Sequence, residues 1–351
     1  WDNAYLDSVH ELNERNHNID SLFGSGAVSL LGSARHEAGL PKVTLEQQKE
    51  HIARAHRYGL EFIYTVNAPC LGNIEYTPRG QTALLQFFEN LCDMGVDWVV
   101  LSVPYLIEIV KRKFPQLRVK VSVINRVNSM RSLWQYASLG VDAITLDWDV
   151  NRDFRFLQKA AASGGPEIEL LATDQCLYNC PFRLYHYNIL GHASQSSLET
   201  RKAYVDYPCI RCSLKKYTQP VELVRSRWIR PEDLAVYEAI GIHRFKIGYR
   251  TADAKRNLHI ARAYSDRHFD GDLLELIFGP GMPFVLDNRK LDGFLDFFQK
   301  QTCYLNCGEC TYCDRLATLI EPVSTEELNG EIEKLEMLSE KLLTCNLYGV
   351  D

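Results

Sequence analysis

Short runs of β-branched and apolar residues recur along this chain between longer helical stretches, and three of the joints share one local signature. Gly95-Val96-Asp97-Trp98, Gly140-Val141-Asp142-Ala143 and Gly241-Ile242-His243-Arg244 each read as a helix end, a glycine, two residues and a strand. Strands alternating with helices predict a parallel sheet covered by helical crossovers. Eight strands are expected, at Ala27–Leu31, Phe62–Val66, Trp98–Ser102, Val119–Val123, Ala143–Leu146, Ile168–Ala172, Arg244–Ile247 and Phe284–Leu286. Helices are expected over 44–58, 79–94, 104–113, 129–139, 151–163 and 231–240, opened by Thr44 or Ser129 as caps or by Pro104 and Pro231 in the first turn. Gly59, Gly95, Gly140 and Gly241 stand where a left-handed C-terminal residue is wanted. Eight such units fit a TIM-barrel-like (β/α)8 fold better than an open doubly wound sheet, and no G-x-G-x-x-G turn follows a strand.

Two segments break the rhythm. Residues 173–230 form an insertion after the sixth strand, far longer than an ordinary connection, and residues 299–323 form a second irregular, cysteine-dense stretch. The division expected is a barrel over 1–298 that includes the insertion, followed by a Cys-rich segment and C-terminal helix over 299–351. In that helix Leu328, Ile332, Leu335, Leu338 and Leu342 recur at three- and four-residue spacing, which predicts packing on the outside of the barrel, with a dimer contact as the alternative.

Composition narrows the class. Across 351 residues, 46% are hydrophobic and 24% charged, and no apolar run approaches a membrane span, so disorder and membrane insertion are not expected. A net charge of −6 does not favour general nucleic-acid binding. The chain opens on Trp1 with mixed polar sequence and no basic-then-apolar leader, so a reducing cytoplasm is the expected location.

Eight of the eleven cysteines fall in two short stretches, which points to ligation and not to a disulfide framework. Cys176 and Cys180 form a C-x3-C pair and Cys209 and Cys212 a C-x2-C pair within the insertion, on the side of a barrel where active sites are built. Four thiolates so gathered can hold a 4Fe-4S cluster or a structural zinc. Cys303, Cys307, Cys310 and Cys313 form a compact C-x3-C-x2-C-x2-C run resembling ferredoxin-type ligation, again with zinc as the alternative. The first three of these also spell the radical-SAM triad, but they follow the last strand and a fourth cysteine fills the open position. Cys70, Cys92 and Cys345 stand alone and are expected to behave as small apolar residues.

The polar residues beside these thiols supply candidates for chemistry. Arg183 and His186 crowd the first pair, and Asp149 and Lys246 lie at strand ends, so these four are taken as candidate catalytic residues, with capping of the next helix as the alternative role for Asp149 or Asn151. Residues 201–230 carry Arg201, Lys202, Arg211, Lys215, Lys216, Arg225, Arg227 and Arg230 against only Asp206 and Glu222. Part of that charge is expected to offset an anionic cluster and the rest to attract an anion such as a donor carboxylate.

The segments Asn67-Ala68-Pro69-Cys70-Leu71-Gly72-Asn73, Asp149-Val150-Asn151-Arg152-Asp153 and Cys176-Leu177-Tyr178-Asn179-Cys180-Pro181-Phe182-Arg183, with the Cys209 and Cys212 pair, together resemble the peptidase U32 family over most of residues 20–320. The resemblance implies a TIM-barrel-like iron–sulfur protein serving oxygen-independent hydroxylation, as in the branches acting in ubiquinone synthesis and in tRNA and ribosomal RNA modification, with prephenate as hydroxyl source. It implies cluster ligation by Cys176, Cys180, Cys209 and Cys212. The chain departs from that pattern in its tight first spacing and in Cys303, Cys307, Cys310 and Cys313, which have no counterpart in a single-cluster family. The expectation is therefore a distinct branch acting on a small-molecule or partner-bound substrate with an organic donor, the site being completed by a paralogue or protein partner if by anything outside the chain. A non-catalytic metal-stapled scaffold is the alternative. The family name suggests a peptidase, but neither a G-x-S-x-G elbow nor an H-E-x-x-H helix is present.

Overall fold

The computed structural model of the chain describes residues 1–196, 205–301, 303 and 307–346. Arg201 and Lys202 of the basic stretch lie outside the described residues. Seven parallel strands form one sheet in chain order: β1 (Ser21–Gly24), β2 (Glu61–Val66), β3 (Trp98–Leu101), β4 (Arg118–Val121), β5 (Ala143–Thr145), β6 (Glu167–Leu171) and β7 (Arg244–Lys246). The sheet curls into a TIM-barrel-like fold: Arg244 of β7 stands 5.8 Å above the Trp98 ring of β3, and the Lys246 ammonium lies 4.2 Å from the Phe23 ring of β1.

The shared glycine signature has a mechanical role. Gly95 and Gly140 sit at φ 82° and 75°, the left-handed region that ends a helix and that glycine enters without a Cβ penalty. The aspartate two residues on then stitches the barrel's lower rim. Asp97 accepts the Phe62 N–H at 2.7 Å and Asp142 accepts the Val119 N–H at 2.7 Å, each fixing the next strand to its neighbour's start. The expected helix starts form as read: Thr44 makes a capping box with Gln47, Ser129 caps Met130–Ala137, and Pro104 opens Pro104–Lys113.

Two expected strands fall elsewhere. Ala27–Leu31 is not the first strand; Ser21–Gly24 pairs with Glu61–Tyr64, while the Ala27–Leu31 run crosses the barrel's upper end and touches the insertion through a Ser29–Gln195 bridge. The last strand, β8 (Phe284–Val285), is only two residues long and pairs antiparallel with β9 (Glu321–Pro322), outside the parallel sheet. The sheet therefore has seven strands, and the edges of β1 and β7 face each other without a ladder.

Alternation along the strands produces two surfaces. Val99, Leu101, Val119, Val121, Ile144 and Leu170 are buried beneath the outer helices, whereas Trp98, Val100, Lys120, Ala143 and Glu169 face the interior. Lys120 bonds Glu169 inside the barrel, and Thr145 donates to the other Glu169 oxygen at 2.7 Å. The barrel is thus lined partly by charge. Among the described residues no helix is long and apolar enough to cross a membrane. The terminal helix Thr325–Leu343 packs on the helix Tyr207–Thr218, so it covers the cysteine-bearing insertion and not a barrel helix.

Candidate functional site

The insertion rises from the C-terminal end of β6. Asp174 accepts the Cys176 N–H at 3.1 Å and turns the loop so that Cys176 packs beside Trp148 and Tyr187. Cys209 and Cys212 come from the first turns of the helix Tyr207–Thr218, where a three-residue spacing puts both on one face. Asp206 caps that helix by accepting the Cys209 N–H at 3.1 Å. Cys212 lies within electrostatic reach of Cys176, Cys180 and Cys209, so the two pairs, separated by 28 residues of sequence, meet at one place.

No three of these four sulfurs all lie within 4.8 Å of one another. Among the described residues, the one group of three metal-capable side chains with ligand atoms within 4.8 Å of one another is His186, Asp206 and Cys209. Tetrahedral ligation of zinc at about 2.3 Å would place sulfurs about 3.8 Å apart. Four thiols from a loop and a helix are a donor set that either a zinc ion or a four-iron cluster takes.

Arg183, expected near the first pair, is buried there and committed to protein partners. Its guanidinium donates to Asp147 and Asp149, each at 2.6 Å, and lies 4.3 Å from the Trp148 ring. Desolvation opposes its charge, but the two carboxylates more than compensate and hold its pKa above the usual arginine range. Asp149 is accordingly an ion-pair partner, and Asp153 caps the following helix instead. Asn151 ties the top of β6 to the insertion by donating to the carbonyls of Leu171 and Arg227. His186 presents one nitrogen, Nε2, both to Asp206 at 2.9 Å and to the Cys209 sulfur at 3.6 Å.

Lys246 does not reach this group; it points into the barrel. A cavity of about 750 Å3 opens there between β1 and β7, lined among others by Phe23, Lys120, Glu169, Lys246 and Arg250. Burial pushes the Lys246 ammonium down to about 7; Glu169, which also bonds Lys120, opposes that shift, and the cations Arg250, Lys120 and Arg35 add to it. Arg250 donates to the Ser25 hydroxyl at 2.8 Å and the Ser33 carbonyl at 2.6 Å, with no carboxylate in ion-pair contact among the described residues. Tyr187 is buried within electrostatic reach of Cys176, and Arg250 is within reach of Tyr187, but none of the four cysteines lines the cavity itself.

Sequence reading passed over Asp174, whose buried carboxyl is pushed up to about 7 by desolvation and whose Oδ2 has no partner. Its position two residues before Cys176 was the available signal. It also passed over the interior pair Lys120 and Glu169, signalled by the charged alternation of Arg118-Val119-Lys120 and Glu167-Ile168-Glu169. Four of the described basic residues of the 201–230 stretch are held by partners within the protein. Arg225 pairs with Glu222 and Asp314, Arg230 with Asp233 and Asp292, Lys215 bonds Gln219, and Lys216 bonds the Gln175 carbonyl.

The family model for peptidase family U32 matches residues 16–154. An uncharacterized protease of Methanocaldococcus jannaschii is 32% identical over 295 residues, which are 83% of this chain and 86% of that relative. The solved structure of a U32 peptidase aligns with a TM-score of 0.50 at 22% identity, covering 68% of this chain and 90% of the other, a likeness of fold.

Proposed function

The chain belongs to peptidase family U32, and from that premise we propose that it is a cytoplasmic iron–sulfur enzyme. Its reaction is an oxygen-independent hydroxylation or a related redox modification of a small-molecule or partner-bound substrate, with an organic, prephenate-like hydroxyl donor. The net charge of −6 does not favour nucleic acid as its target, and no membrane target is proposed. The observation that carries this reading is the approach of Cys212 to Cys176, Cys180 and Cys209, which brings both cysteine pairs together above the C-terminal end of β6.

The donor set is chemically suited to a 4Fe-4S cluster: four thiols, two from a loop and two from the first turns of a helix, whose burial holds Cys176, Cys180 and Cys209 protonated until a bound metal draws off the proton. Such a cluster, when bound, supplies one-electron redox chemistry at the mouth. The chain's own residues do the rest. Arg250 offers a guanidinium free of carboxylates to a donor carboxylate, the geometry in which arginine binds through paired hydrogen bonds. Lys246, poised near neutrality, can hold or release a proton inside the cavity. Arg183, clamped by Asp147 and Asp149, positions the helix Arg183–His192 that presents His186 to Cys209.

A second reading has one observation behind it. His186, Asp206 and Cys209 could together take a single zinc ion with an open position, the arrangement of hydrolytic zinc sites, which would suit the protease name of the relative. A cysteine nucleophile is less well served, because one histidine nitrogen faces both thiol and carboxylate where a relay uses two.

Cys176→Ser separates these readings, since Cys176 lies outside the zinc trio. Anaerobically purified variant should lose the visible iron–sulfur band; retention of full metal content with peptide-cleaving activity would favour the zinc hydrolase. For the donor, prephenate should bind wild type and bind Arg250→Met at least tenfold more weakly at unchanged cluster absorbance, and equal binding would remove the donor site from this cavity.

A further inference from the structure

Cys303, Cys307, Cys310 and Cys313 lie outside the site described above, on a platform that carries its own charge. Arg152 and Arg227 are both almost fully buried, at 1% and 3% exposure, and among the described residues no carboxylate lies in ion-pair contact with either. Arg152 spends its donors on the carbonyls of Val224 and Ser226 and lies over the rings of Trp228, Phe294 and Phe298. Arg227 directs both terminal nitrogens at the Cys303 sulfur, each at 3.7 Å. The Nε of each guanidinium has no partner.

Burying two cations without an anion costs several kcal/mol each. The acidic groups that face them are thiols and tyrosine hydroxyls: Cys303 and Cys313 lie within electrostatic reach of both arginines and of each other, Tyr237 of Arg152 and Tyr178 of Arg227, and Cys307 lies within reach of Arg225. Cys310 accepts the Tyr312 N–H at 3.5 Å, a backbone bond to sulfur of the kind that tunes iron–sulfur ligands. Tyr312 in turn is pinned by stacking on Phe297 at 4.1 Å and by donating to the Phe294 carbonyl at 2.8 Å, so the end of the cysteine run is fixed.

One contact links this place to the first. Tyr178, between Cys176 and Cys180 in sequence, has its ring 3.8 Å from the Arg227 guanidinium that bonds Cys303. We propose that Cys303, Cys307, Cys310 and Cys313 hold a second 4Fe-4S centre, dianionic when oxidised, whose charge Arg152 and Arg227 balance, and that the Tyr178–Arg227 stack couples it to the first. Occupancy of the second centre stands on these residues alone; the coupling rests on the proposed first cluster. One electron supplied by dithionite, or in the cell by a reduced one-electron carrier protein, enters one centre and passes to the other, the donor being oxidised as the acceptor is reduced.

The test uses the full chain purified anaerobically. Wild type should carry about eight iron and eight sulfide, Cys310→Ser should lose about half of each, and Cys176→Ser should lose the other half. Dithionite-reduced wild type should show the split paramagnetic spectrum of two nearby spins, reduced to an uncoupled one in Cys310→Ser. Arg227→Met should keep its iron but lower the second centre's midpoint potential, since a positive charge and two N–H bonds to sulfur favour the reduced form. Should Arg227→Met not fold, Arg227→Lys reads the same shift in smaller degree. Zinc in place of iron, a Cys303–Cys313 disulfide, or iron unchanged in Cys310→Ser would overturn the second centre. Iron retained in Cys310→Ser at half the wild-type content, but with no spin coupling in wild type, would overturn the link alone.

Discussion

Lys246 points into the barrel, where desolvation outweighs the pull of Glu169 and makes its charge costly. Its folded pKa of about 7 lies below the 10.5 usual for a lysine. Between those values the unfolded chain binds a proton that the folded chain does not. Stability should therefore rise with pH through that window, the cost being fully present below about pH 7. Lys246→Met should flatten this rise and raise the melting temperature most at pH 6; an equal shift at pH 6 and pH 10 would contradict it. Arg183 tests the opposite case. Arg183→Leu leaves Asp147 and Asp149 buried beside the weaker contacts of Arg126, at 3.2 and 3.8 Å, and should destabilise by about 3 kcal/mol. A denaturation midpoint unchanged from wild type would show that Arg126 alone suffices. The role of Arg183 was half legible: its place beside Cys180 in sequence drew notice, but its partners Asp147 and Asp149 lie more than 30 residues away, and a pairing at that separation is set by the fold.

Among elements, the glycine signature was legible because one short pattern ends a helix at three joints, and at two of them its aspartate ties down the neighbouring strand. Asp142→Ala should leave the Val119 N–H without its acceptor and cost about 1–3 kcal/mol, while Asp142→Asn keeps an acceptor and should cost less; equal losses would point to the Lys111 ion pair as the working contact. The first strand was misread since Ala27–Leu31 is the more apolar run, yet Ser21–Gly24 is the segment that reaches Glu61–Tyr64. Helices inside the insertion were not legible: Arg183–His192 and Tyr207–Thr218 take their stability from packing on the mouth and on the terminal helix. That last contact predicts a coupling. Ser339 is buried at the seam with Tyr207–Thr218, so Ser339→Trp should overpack it by about 1–3 kcal/mol and shorten the lifetime of the first cluster in air. Unaltered oxygen sensitivity at lowered stability would confine the helix to a structural role.

At the scale of the molecule, a strand count of eight followed from counting β-branched runs, and seven form because the last run pairs with a neighbour after it in the chain. The missing ladder between β1 and β7 is where the cavity opens, so the departure from an ideal barrel and the space for a substrate are one feature. The spacing of the cysteines was enough to expect two separate groups; the buried arginines Arg152 and Arg227 beside the second were not legible, because they come from different segments. The central claim is that Cys176, Cys180, Cys209 and Cys212 hold one redox-active cluster at the mouth. Its most direct measurement is iron and sulfide content with the visible spectrum of anaerobically purified Cys307→Ser/Cys310→Ser, in which only the first group is intact. The account predicts about four iron and four sulfide per chain and a charge-transfer band bleached by dithionite; zinc without iron, or a colourless protein free of sulfide, would contradict it.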